Sequence, residues 1–355
     1  MISRIVILPG DGIGPEVTQV ATDVLSAVSE KFKLDFELTS HTIGGAAIDA
    51  EGVPLPDATR TACQEADAVF LGAVGGPQWQ SLPVAQRPEQ GLLALRAALG
   101  VFANLRPVTV HPALTDISPL RPDRLAGVDL MVVRELTGGI YFGEKREGTD
   151  TAFDACEYSR EEVVRITRVA CELARTRQGR LTSVDKANVL ATSRLWRSVV
   201  TEVCADEFPD VTLEHLLVDA AAMHLLAKPA AFDVVVTENM FGDILTDEAS
   251  MLSGSLGLLP SASLSALGGT GLYEPIHGSA PDIAGQDVAN PTGAILSVAM
   301  MLRHSLGCPE AATAVEQAVT DALAGGTRTR DVSGDADSTV GTQAFGQHIC
   351  RKILS

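Results

Sequence analysis

Residues 232–248 read FDVVVTENMFGDILTDE and join a short apolar run at 234–236, through Asn239, to a pattern with helical spacing. If the second part is helical, Asp243 and Asp247 lie one turn apart on the same face. Two like charges at this spacing repel each other and weaken a helix slightly. A divalent cation with hard oxygen ligands would reverse that effect. The pair is therefore either a solvated acidic face or part of a metal site, and taken alone it favours the solvated face.

The composition predicts a globular protein with no affinity for polyanions. The chain has 355 residues, 46% hydrophobic and 20% charged, enough for two ordinary domains or one large one. Its net charge of −18 disfavours nucleic acid and anionic membranes as partners. No segment resembles a signal peptide or an apolar membrane span, and the six cysteines are scattered without metal-binding spacing. We therefore expect a cytoplasmic protein with free thiols.

Short β-rich runs alternate with helical patterns along the chain. This alternation predicts an α/β fold with much parallel sheet. The stretch 254–271 is rich in Gly, Ser and Leu and almost uncharged, and we interpret it as a crossing between structural units. Strands are predicted at 4–8, 68–74, 129–134, 181–185, 213–218 and 233–237, and helices after Pro15 and at 91–99, 161–177, 291–303 and 309–323.

Two glycine-rich segments invite a ligand-binding interpretation. The first, GDGIGPE at 10–16, fails the dinucleotide fingerprint G-x-G-x-x-G because position 15 is proline, and no strand ending in an acid follows at the expected distance. It is interpreted as a tight turn between a strand and a helix, and a Rossmann fold is not predicted. The second, 274–292, is a long loop with His277, Asp282 and Asn290, and its length indicates a ligand-binding role.

Three arginines near predicted strand and helix ends are candidates for binding a dicarboxylate. Arg96 shares a helical side with Leu92 and Leu93, which indicates either an ordinary amphipathic helix or a mixed pocket for an alkyl group and a carboxylate. Arg106 lies in an extended run, and Arg134 follows the run DLMVV. The guanidinium fork pairs bidentately with carboxylates, so the three together suit a dicarboxylate.

Three further residues have both a structural and a chemical interpretation. Tyr141, in a Gly-rich turn, is a packing aromatic or a proton donor whose pKa a neighbouring cation would lower. Lys186 follows a predicted strand and is either a surface charge or a base with a depressed pKa. Asp219 begins a predicted helix, where capping accounts for its position without any function.

Several segments taken together resemble the β-decarboxylating dehydrogenases, the family of the isocitrate and isopropylmalate dehydrogenases. The resemblance implies an isopropylmalate/isocitrate dehydrogenase-like fold, with two α/β domains flanking a cleft. It implies an NAD-binding domain formed by residues 1–101 and 255–355, and a substrate, metal and dimerisation domain formed by residues 102–254. The segments run in order over almost the whole chain: GDGIGPE, GLLALRAALGVFANLRP, VVRELTGGIYFG, DKANVL, VDAAAMHLL, TENMFGDILTDEAS and GLYEPIHGSAPDIAGQDVANPTGAI.

The resemblance also assigns roles in the oxidative decarboxylation of a 2-hydroxy dicarboxylate. It implies a homodimer with shared active sites, in which Lys186 and Asp219 come from the second subunit. The metal would be Mg²⁺ or Mn²⁺. The implied site residues are Arg96, Arg106 and Arg134 for the carboxylates, Asp219, Asp243 and Asp247 for the metal and its bound substrate, Lys186 as base and Tyr141 as proton donor.

The cofactor implied by the resemblance is NAD⁺, bound at a site unlike that of a Rossmann fold. Segments 76–89 and 278–290 would form it, with His277 beside the adenine. Asp282 favours NAD⁺ because it would repel a 2′-phosphate. Asp331 matches the family pattern only approximately and is not included. The implied cofactor-binding residues are Gly76, Glu89, His277, Gly278, Ser279, Ala280, Asp282, Ile283 and Asn290.

Substrate choice in the family rests on Glu89, Leu92 and Leu93, with Val189 from the second subunit. Leu92 and Leu93 suit an isopropyl group, so the implied substrate is 3-isopropylmalate, converted to 4-methyl-2-oxopentanoate and CO₂ in leucine biosynthesis. The third carboxylate of isocitrate would be buried against apolar side chains, which is unfavourable. The alternatives are a relative acting on D-malate, tartrate, homoisocitrate or isocitrate, and a non-catalytic regulatory subunit, which the intact Tyr141 and Lys186 disfavour.

Overall fold

The computed structural model describes residues 2–265, 269–333 and 339–355, in which strands and helices alternate. This succession confirms the predicted α/β class. Within these ranges the strands are β1 (Ser3–Gly10), β2 (Phe36–Ser40), β3 (Ala68–Ala73), β4 (Ala103–Thr109), β5 (Asp129–Glu135), β6 (Lys145–Arg146), β7 (Phe153–Asp154), β8 (Arg180–Asp185), β9 (Thr212–Leu217), β10 (Val234–Thr237), β11 (Pro260–Leu264) and β12 (Gly271–Pro275). The helices are α1 (Gly14–Phe32), α2 (Gly44–Glu51), α3 (Asp57–Glu65), α4 (Pro88–Leu99), α5 (Pro122–Leu125), α6 (Arg160–Arg175), α7 (Ala191–Glu207), α8 (Val218–Ala227), α9 (Asn239–Ser253), α10 (Thr292–His304), α11 (Pro309–Ala324) and α12 (Thr342–Leu354).

The chain divides into two compact units. Unit 1 comprises Met1–Val101, His111–Ile117 and Gly254–Ser355, and unit 2 comprises Phe102–Val110 and Ser118–Ser253. The division differs from the predicted boundaries mainly in His111–Ile117, which belongs to unit 1. A single turn in this segment packs on α11, and a ring nitrogen of His111 lies 3.2 Å from the carbonyl oxygen of Thr320. Such a contact joins residues far apart in sequence, so the local pattern does not reveal it.

Unit 1 is built on five strands in the order β2-β1-β3-β12-β11. All neighbours pair in parallel except β11 and β12, which are antiparallel. Residues 5–8 of β1 and all of β3 are buried, because an interior parallel strand is covered on both faces and reads as a continuous apolar run. The loops that follow β3 and β12 and the first turn of α4 contain the residues predicted to bind a cofactor.

Unit 2 is built on five strands in the order β4-β5-β10-β8-β9. The pairing of β4 with β5 is antiparallel and the remaining pairs are parallel. The strand β10, with the sequence VVVT, is completely buried at the centre. Helix α9 follows it directly and packs on β4 and β5. Residues 232–248 therefore contain the central strand of this unit and the part of α9 that carries both aspartates.

Two segments differ from their predicted structure. The stretch 254–271, predicted as a crossing, contains β11, and the long loop predicted from Glu274 begins inside β12. Both strands are buried and pair with each other. The strand β11 is made of small and hydroxylated residues, so it lacks the large apolar side chains by which a strand is recognised in a sequence. Residues 266–268 of the predicted crossing lie outside the described residues.

All six cysteines are free thiols, as predicted. Within the described ranges, no helix combines the length and the apolar character that a membrane crossing requires.

A buried carboxylate at the start of β10 offers a test of the fold of unit 2. Asp233 is 1% exposed and accepts hydrogen bonds from Arg177 Nε at 2.8 Å, Gln178 N at 3.0 Å and Arg180 N at 3.2 Å. The substitution Asp233→Ala leaves these donors unpaired, so we expect the free energy of unfolding to fall by about 3 kcal/mol. Urea denaturation of the full chain measures the change.

The matched control is Asp210→Ala. Asp210 accepts from Arg175 Nη2 at 2.6 Å at an exposed position, where solvent screening leaves an ion pair little net effect on stability. Equal, small changes for the two variants would contradict the importance assigned to Asp233.

Candidate functional site

Two buried arginines of unit 2, one on β4 and one on β5, lie on the side of the sheet that α9 covers. Asn104 and Arg106 are two apart on β4 and therefore point to the same face. Arg134 on β5 is the cross-strand partner of Asn104, so it shares that face. Arg106 is 7% exposed and Arg134 3% exposed. Two buried cations need partners, and α9 supplies them.

The α9 side chains that reach these arginines follow helical spacing. Asn239 Oδ1 accepts from Arg134 Nε at 3.1 Å and Nη2 at 2.8 Å, and Thr246 Oγ1 accepts from Arg106 Nη1 at 2.6 Å. Gly242 allows the close approach, because a Cβ atom there would lie 2.6 Å from Cγ of Arg134. The helix thus packs directly against the arginine stems.

Asp243 is the centre of this cluster. Its carboxylate pairs with Nη1 of Arg134, lies 3.8 Å from Nη2 of Arg106, and accepts a 2.9 Å hydrogen bond from the hydroxyl of Tyr141. Its side chain remains 36% exposed. The structure therefore brings together four residues that the sequence singled out separately.

Asp247 follows one turn later in α9, so it lies on the same face of the helix as Asp243, as the sequence predicted. Burial, and then the charge of Asp243, raises the pKa of its carboxyl group, while the neighbouring arginines act in the opposite direction. Two neighbouring carboxylates offer the hard oxygen ligands that a divalent cation prefers, and such a cation would relieve their repulsion. Among the described residues, however, no three His, Cys, Asp or Glu side chains converge as a metal site.

The pKa of Tyr141 is raised, whereas the sequence analysis expected a neighbouring cation to lower it. Burial, together with the hydrogen bond it donates to Asp243, raises the pKa of the phenol to about 12, and the charge of Arg134 only partly opposes this. The guanidinium of Arg134 lies 5.8 Å from the ring centroid. The hydroxyl therefore keeps its proton in this arrangement and can donate it.

Lys186 and Asp219 form a separate pair in unit 2. Lys186 Nζ donates to Asp219 Oδ1 at 2.6 Å, and this hydrogen bond holds the pKa of the Asp219 carboxyl group below its usual value. Asp219 lies in the first turn of α8. Among the described residues, neither side chain forms a hydrogen bond or ion pair with Asp243 or Asp247. Val189, just beyond Lys186, is 62% exposed.

The remaining predicted substrate residues lie on α4 in unit 1. Leu92 and Leu93 are half-buried and Glu89 is exposed. Arg96 Nη2 donates to Glu274 Oε1 at 2.8 Å, so its charge is balanced by a buried carboxylate of β12. Before α4, a cavity of about 330 Å³ is lined by Gly76, Trp79, Gln80, Arg87, Pro88 and Glu89.

The predicted cofactor residues 277–290 follow β12 in unit 1. A ring nitrogen of His277, Nδ1, lies 2.9 Å from the carbonyl oxygen of Gly278, and burial lowers the pKa of the ring. Its Nε2 atom is buried and has no hydrogen-bond partner among the described residues. Asn290 Nδ2 donates to Asp331 Oδ2 at 3.0 Å, which brings Asp331, left out at first, next to this segment.

Asn239 is the residue whose structural importance the sequence did not reveal. Besides holding Arg134, it donates through Nδ2 to the carbonyl oxygens of Leu136 at 3.0 Å and Gly138 at 3.3 Å, in the turn that leads to Tyr141. It is 1% exposed. The available signal was its position at a strand–helix junction, four residues before Asp243, which places both on one helical face.

Removing the Asn239 amide should destabilise unit 2. Asn239→Ala leaves a buried guanidinium and two buried carbonyl groups with fewer partners, so we expect the free energy of unfolding to fall by about 2 kcal/mol. Urea denaturation provides the measurement. The control Asn188→Ala changes an exposed asparagine of the same unit and should have little effect. A loss no larger than that of the control would contradict the bridging role of Asn239.

Comparison with known proteins relates the chain to full-length relatives. Residues 4–349 match the profile of the isocitrate/isopropylmalate dehydrogenase family. The chain is 58% identical over 359 residues to the 3-isopropylmalate dehydrogenase of Oleidesulfovibrio alaskensis, covering 99% of this chain and 100% of that protein. It is 56% identical over 361 residues to the 3-isopropylmalate dehydrogenase of Bacillus subtilis, covering 100% and 98%. The crystal structure of isocitrate dehydrogenase from Methylococcus capsulatus aligns with a TM-score of 0.87 at 35% identity, covering 99% of this chain and 100% of that one.

Proposed function

Because the chain belongs to the isocitrate/isopropylmalate dehydrogenase family, as its motifs predicted, we propose that it catalyses the NAD⁺-dependent oxidative decarboxylation of 3-isopropylmalate. The product would be 4-methyl-2-oxopentanoate, an intermediate of leucine biosynthesis. The observation that carries the proposal is the cluster of Arg106, Arg134 and Tyr141 around Asp243. The identity of 58% with a relative named for this activity supports it.

The arginines would bind the two carboxylates of the substrate. Arg106 and Arg134 are buried and held by Thr246 and Asn239, so their guanidinium groups are oriented before any ligand arrives. Preorganised donors bind an anion without a further ordering cost. Arg96 is the third candidate for this role.

Asp243 and Asp247 would hold Mg²⁺ or Mn²⁺ together with Asp219 of a second subunit. The donor set fits, because it consists of hard carboxylate oxygens with a crowded negative charge. When bound, the cation supplies a Lewis acid that polarises the oxygen at C2 of the substrate. The chain itself orients the Asp243 carboxylate through Arg134 and Arg106.

Lys186 and Tyr141 would move the protons. Lys186 Nζ, as the neutral amine, would take the proton of the C2 hydroxyl as C2 is oxidised to a carbonyl, and its 2.6 Å hydrogen bond to Asp219 keeps the nitrogen at a defined position. The bond from C3 to its carboxylate breaks, CO₂ leaves, and the electron pair remains on the substrate as an enolate. The hydroxyl of Tyr141, which retains its proton in this environment, then protonates C3.

The nicotinamide dinucleotide, which supplies the hydride acceptor when bound, would contact Gly76, Glu89 and the segment 277–290. Burial lowers the pKa of the His277 ring and so favours its neutral form, in which an Nδ1 proton donated to Gly278 leaves Nε2 as an acceptor that suits the amino group of adenine. The exposed Asp282 suits a ribose hydroxyl and would repel a 2′-phosphate, which supports NAD⁺ over NADP⁺.

A homodimer with shared sites is part of the proposal. Met223 and Leu226 on α8 and Ile244 and Met251 on α9 are between 45% and 63% exposed, although each is a large apolar side chain. Helices α8 and α9 pack on each other, and several exposed large apolar side chains on two such helices favour an interface. Ile244 is adjacent to Asp243, so a second copy covering this face would bring its own residues close to the aspartates. The free thiols support a reducing compartment such as the cytoplasm.

A substrate panel tests the assignment. With NAD⁺ and Mg²⁺, we expect kcat/KM for 3-isopropylmalate to exceed that for isocitrate, D-malate, tartrate and homoisocitrate, because Leu92 and Leu93 suit an isopropyl group and not a carboxylate. NADH absorbance and released CO₂ are followed together. A higher kcat/KM for any rival substrate, or no turnover at all, would overturn the assignment.

The variant Leu93→Ala provides the internal control. It should lower kcat/KM for 3-isopropylmalate by about tenfold through lost apolar contact. Because D-malate has no group to fill that space, its own kcat/KM should change little.

Hybrid dimers test the shared site. Dimers of Lys186→Ala and dimers of Asp243→Ala should each be inactive. After subunit exchange at equal amounts, about a quarter of the wild-type activity should return, because half of the dimers are hybrid and each restores one of two sites. Differently tagged chains verify the exchange.

The matched control mixes Lys186→Ala with Asp219→Ala. Both residues are proposed to enter a site from the same chain, so no hybrid contains an intact site and activity should stay absent. Absence of recovery in the first mixture after verified exchange would reject sharing.

A further inference from the structure

The turn Gly10-Asp11-Gly12-Ile13-Gly14-Pro15-Glu16 is the one singled-out motif that the proposed chemistry does not use. It connects β1 to α1 in unit 1. Its glycine spacing is wrong for holding a diphosphate in the Rossmann manner. Its side chains and backbone instead contact the two loops that contain the proposed cofactor residues.

Asp11 fixes the first of these loops. Its carboxylate is 4% exposed and accepts hydrogen bonds from Gly75 N at 2.7 Å, Gly45 N at 2.9 Å and Ala46 N at 2.7 Å. Gly75 is adjacent to Gly76, which lines the 330 Å³ cavity together with Glu89. One buried carboxylate thus joins the loop after β3 to the start of α2.

The backbone of the motif fixes the beginning of the second loop. Ile13 N donates to the carbonyl oxygen of Ser279 at 2.8 Å. At Gly12, where φ is +59°, a Cβ atom would lie 1.9 Å from that same carbonyl oxygen. Only glycine permits this approach, so the contact depends on the residue type at position 12.

Glu16 fixes the end of the second loop. Its carboxylate accepts hydrogen bonds from the backbone N–H of Gly285 and, at 3.2 Å, from that of Asp287. Between the two attachments, Ile283 N donates to the carbonyl oxygen of Ala280 at 3.1 Å. The residues from 279 to 287, which include Asp282, are therefore attached at both ends to the same turn.

The attached loop contains backbone conformations that need support. Ala280 and Asp287 both have positive φ values, +37° and +56°, which residues with a side chain rarely adopt. Such conformations persist where the surroundings impose them, and they cluster at ligand sites. Ala280 lies next to the attachment at Ser279, and Asp287 is itself an attachment.

We propose that Asp11 and Glu16 are positioning residues for the nicotinamide dinucleotide, which hold loops 75–76 and 279–287 in the conformation that binds it. The inference rests on the proposed function, since it takes these loops as the cofactor site. Neither carboxylate is required to touch the cofactor. Each acts by raising the fraction of molecules in which the loop is already ordered, and the apparent Kd varies inversely with that fraction.

The test uses Glu16→Gln and Asp11→Asn in the full-length protein. In each variant an amide NH₂ group, which donates and does not accept, replaces one acceptor oxygen and faces backbone N–H donors. We expect Kd for NAD⁺ to rise by about tenfold, with kcat at saturating NAD⁺ and KM for 3-isopropylmalate unchanged. Isothermal titration gives Kd, and steady-state kinetics give the remaining constants.

Amide hydrogen exchange without any ligand supplies a second readout that does not depend on activity. Exchange of residues 279–287 should accelerate in Glu16→Gln, and exchange at 44–46 and 74–76 should accelerate in Asp11→Asn. The control Asp23→Asn removes a carboxylate from the same helix α1; among the described residues, this carboxylate accepts a hydrogen bond from Gln19 Nε2 of the same helix at 2.9 Å. It should change neither exchange nor Kd.

The outcomes separate this inference from the proposed function. Wild-type protein that binds NAD⁺ without oxidising 3-isopropylmalate rejects the proposed function alone, and Kd and exchange still decide the inference. Unchanged Kd in Glu16→Gln, with or without faster exchange, overturns the positioning role, as does a fall in kcat with Kd unaffected. Glu16 is only half-buried, so this variant decides the question even if Asp11→Asn fails to fold.

Discussion

The buried charges of Arg106 and Arg134 are the constraint on which the arrangement of unit 2 depends. Each guanidinium lies on a covered strand face, where an unpaired cation is strongly unfavourable. Helix α9 satisfies both through Asn239, Asp243 and Thr246, one helical face spaced for this contact. The same contacts leave the Asp243 carboxylate partly exposed beside Tyr141. Stability of the unit and preparation of the site therefore rest on one set of interactions.

Unit 1 solves a different problem, because most of its proposed cofactor residues lie in the loops that follow β3 and β12. Short turns rich in glycine bring backbone groups close together, and carboxylates accept the N–H groups that would otherwise lack partners. Asp11 and Glu16 do this from a single turn. The fold thus orders its loops with polar attachments from the first strand–helix junction, where the backbone is itself well anchored by β1 and α1.

The sequence predicted the central elements because their signals are local. The apolar run of β10 and the helical spacing of α9 are read directly from residues 232–248, and the two aspartates on one face follow from it. The same approach missed β11, whose small and hydroxylated residues lack the large apolar side chains that mark a strand, and the segment His111–Ile117, which joins unit 1 through a contact with α11. Contacts between residues far apart in sequence have no local pattern, so they were not predictable.

By itself, the sequence determined the α/β class, the family and the residue types available for chemistry, because periodicity and ordered motifs are properties of the chain. Tertiary structure alone decided how those residues meet. It gave Asp243 its two arginines and Tyr141, raised the pKa of Tyr141 where a lowered one was expected, and made Asn239 the link between them. Burial and the direction of each side chain set these properties, and both exist only once the strands and helices have packed.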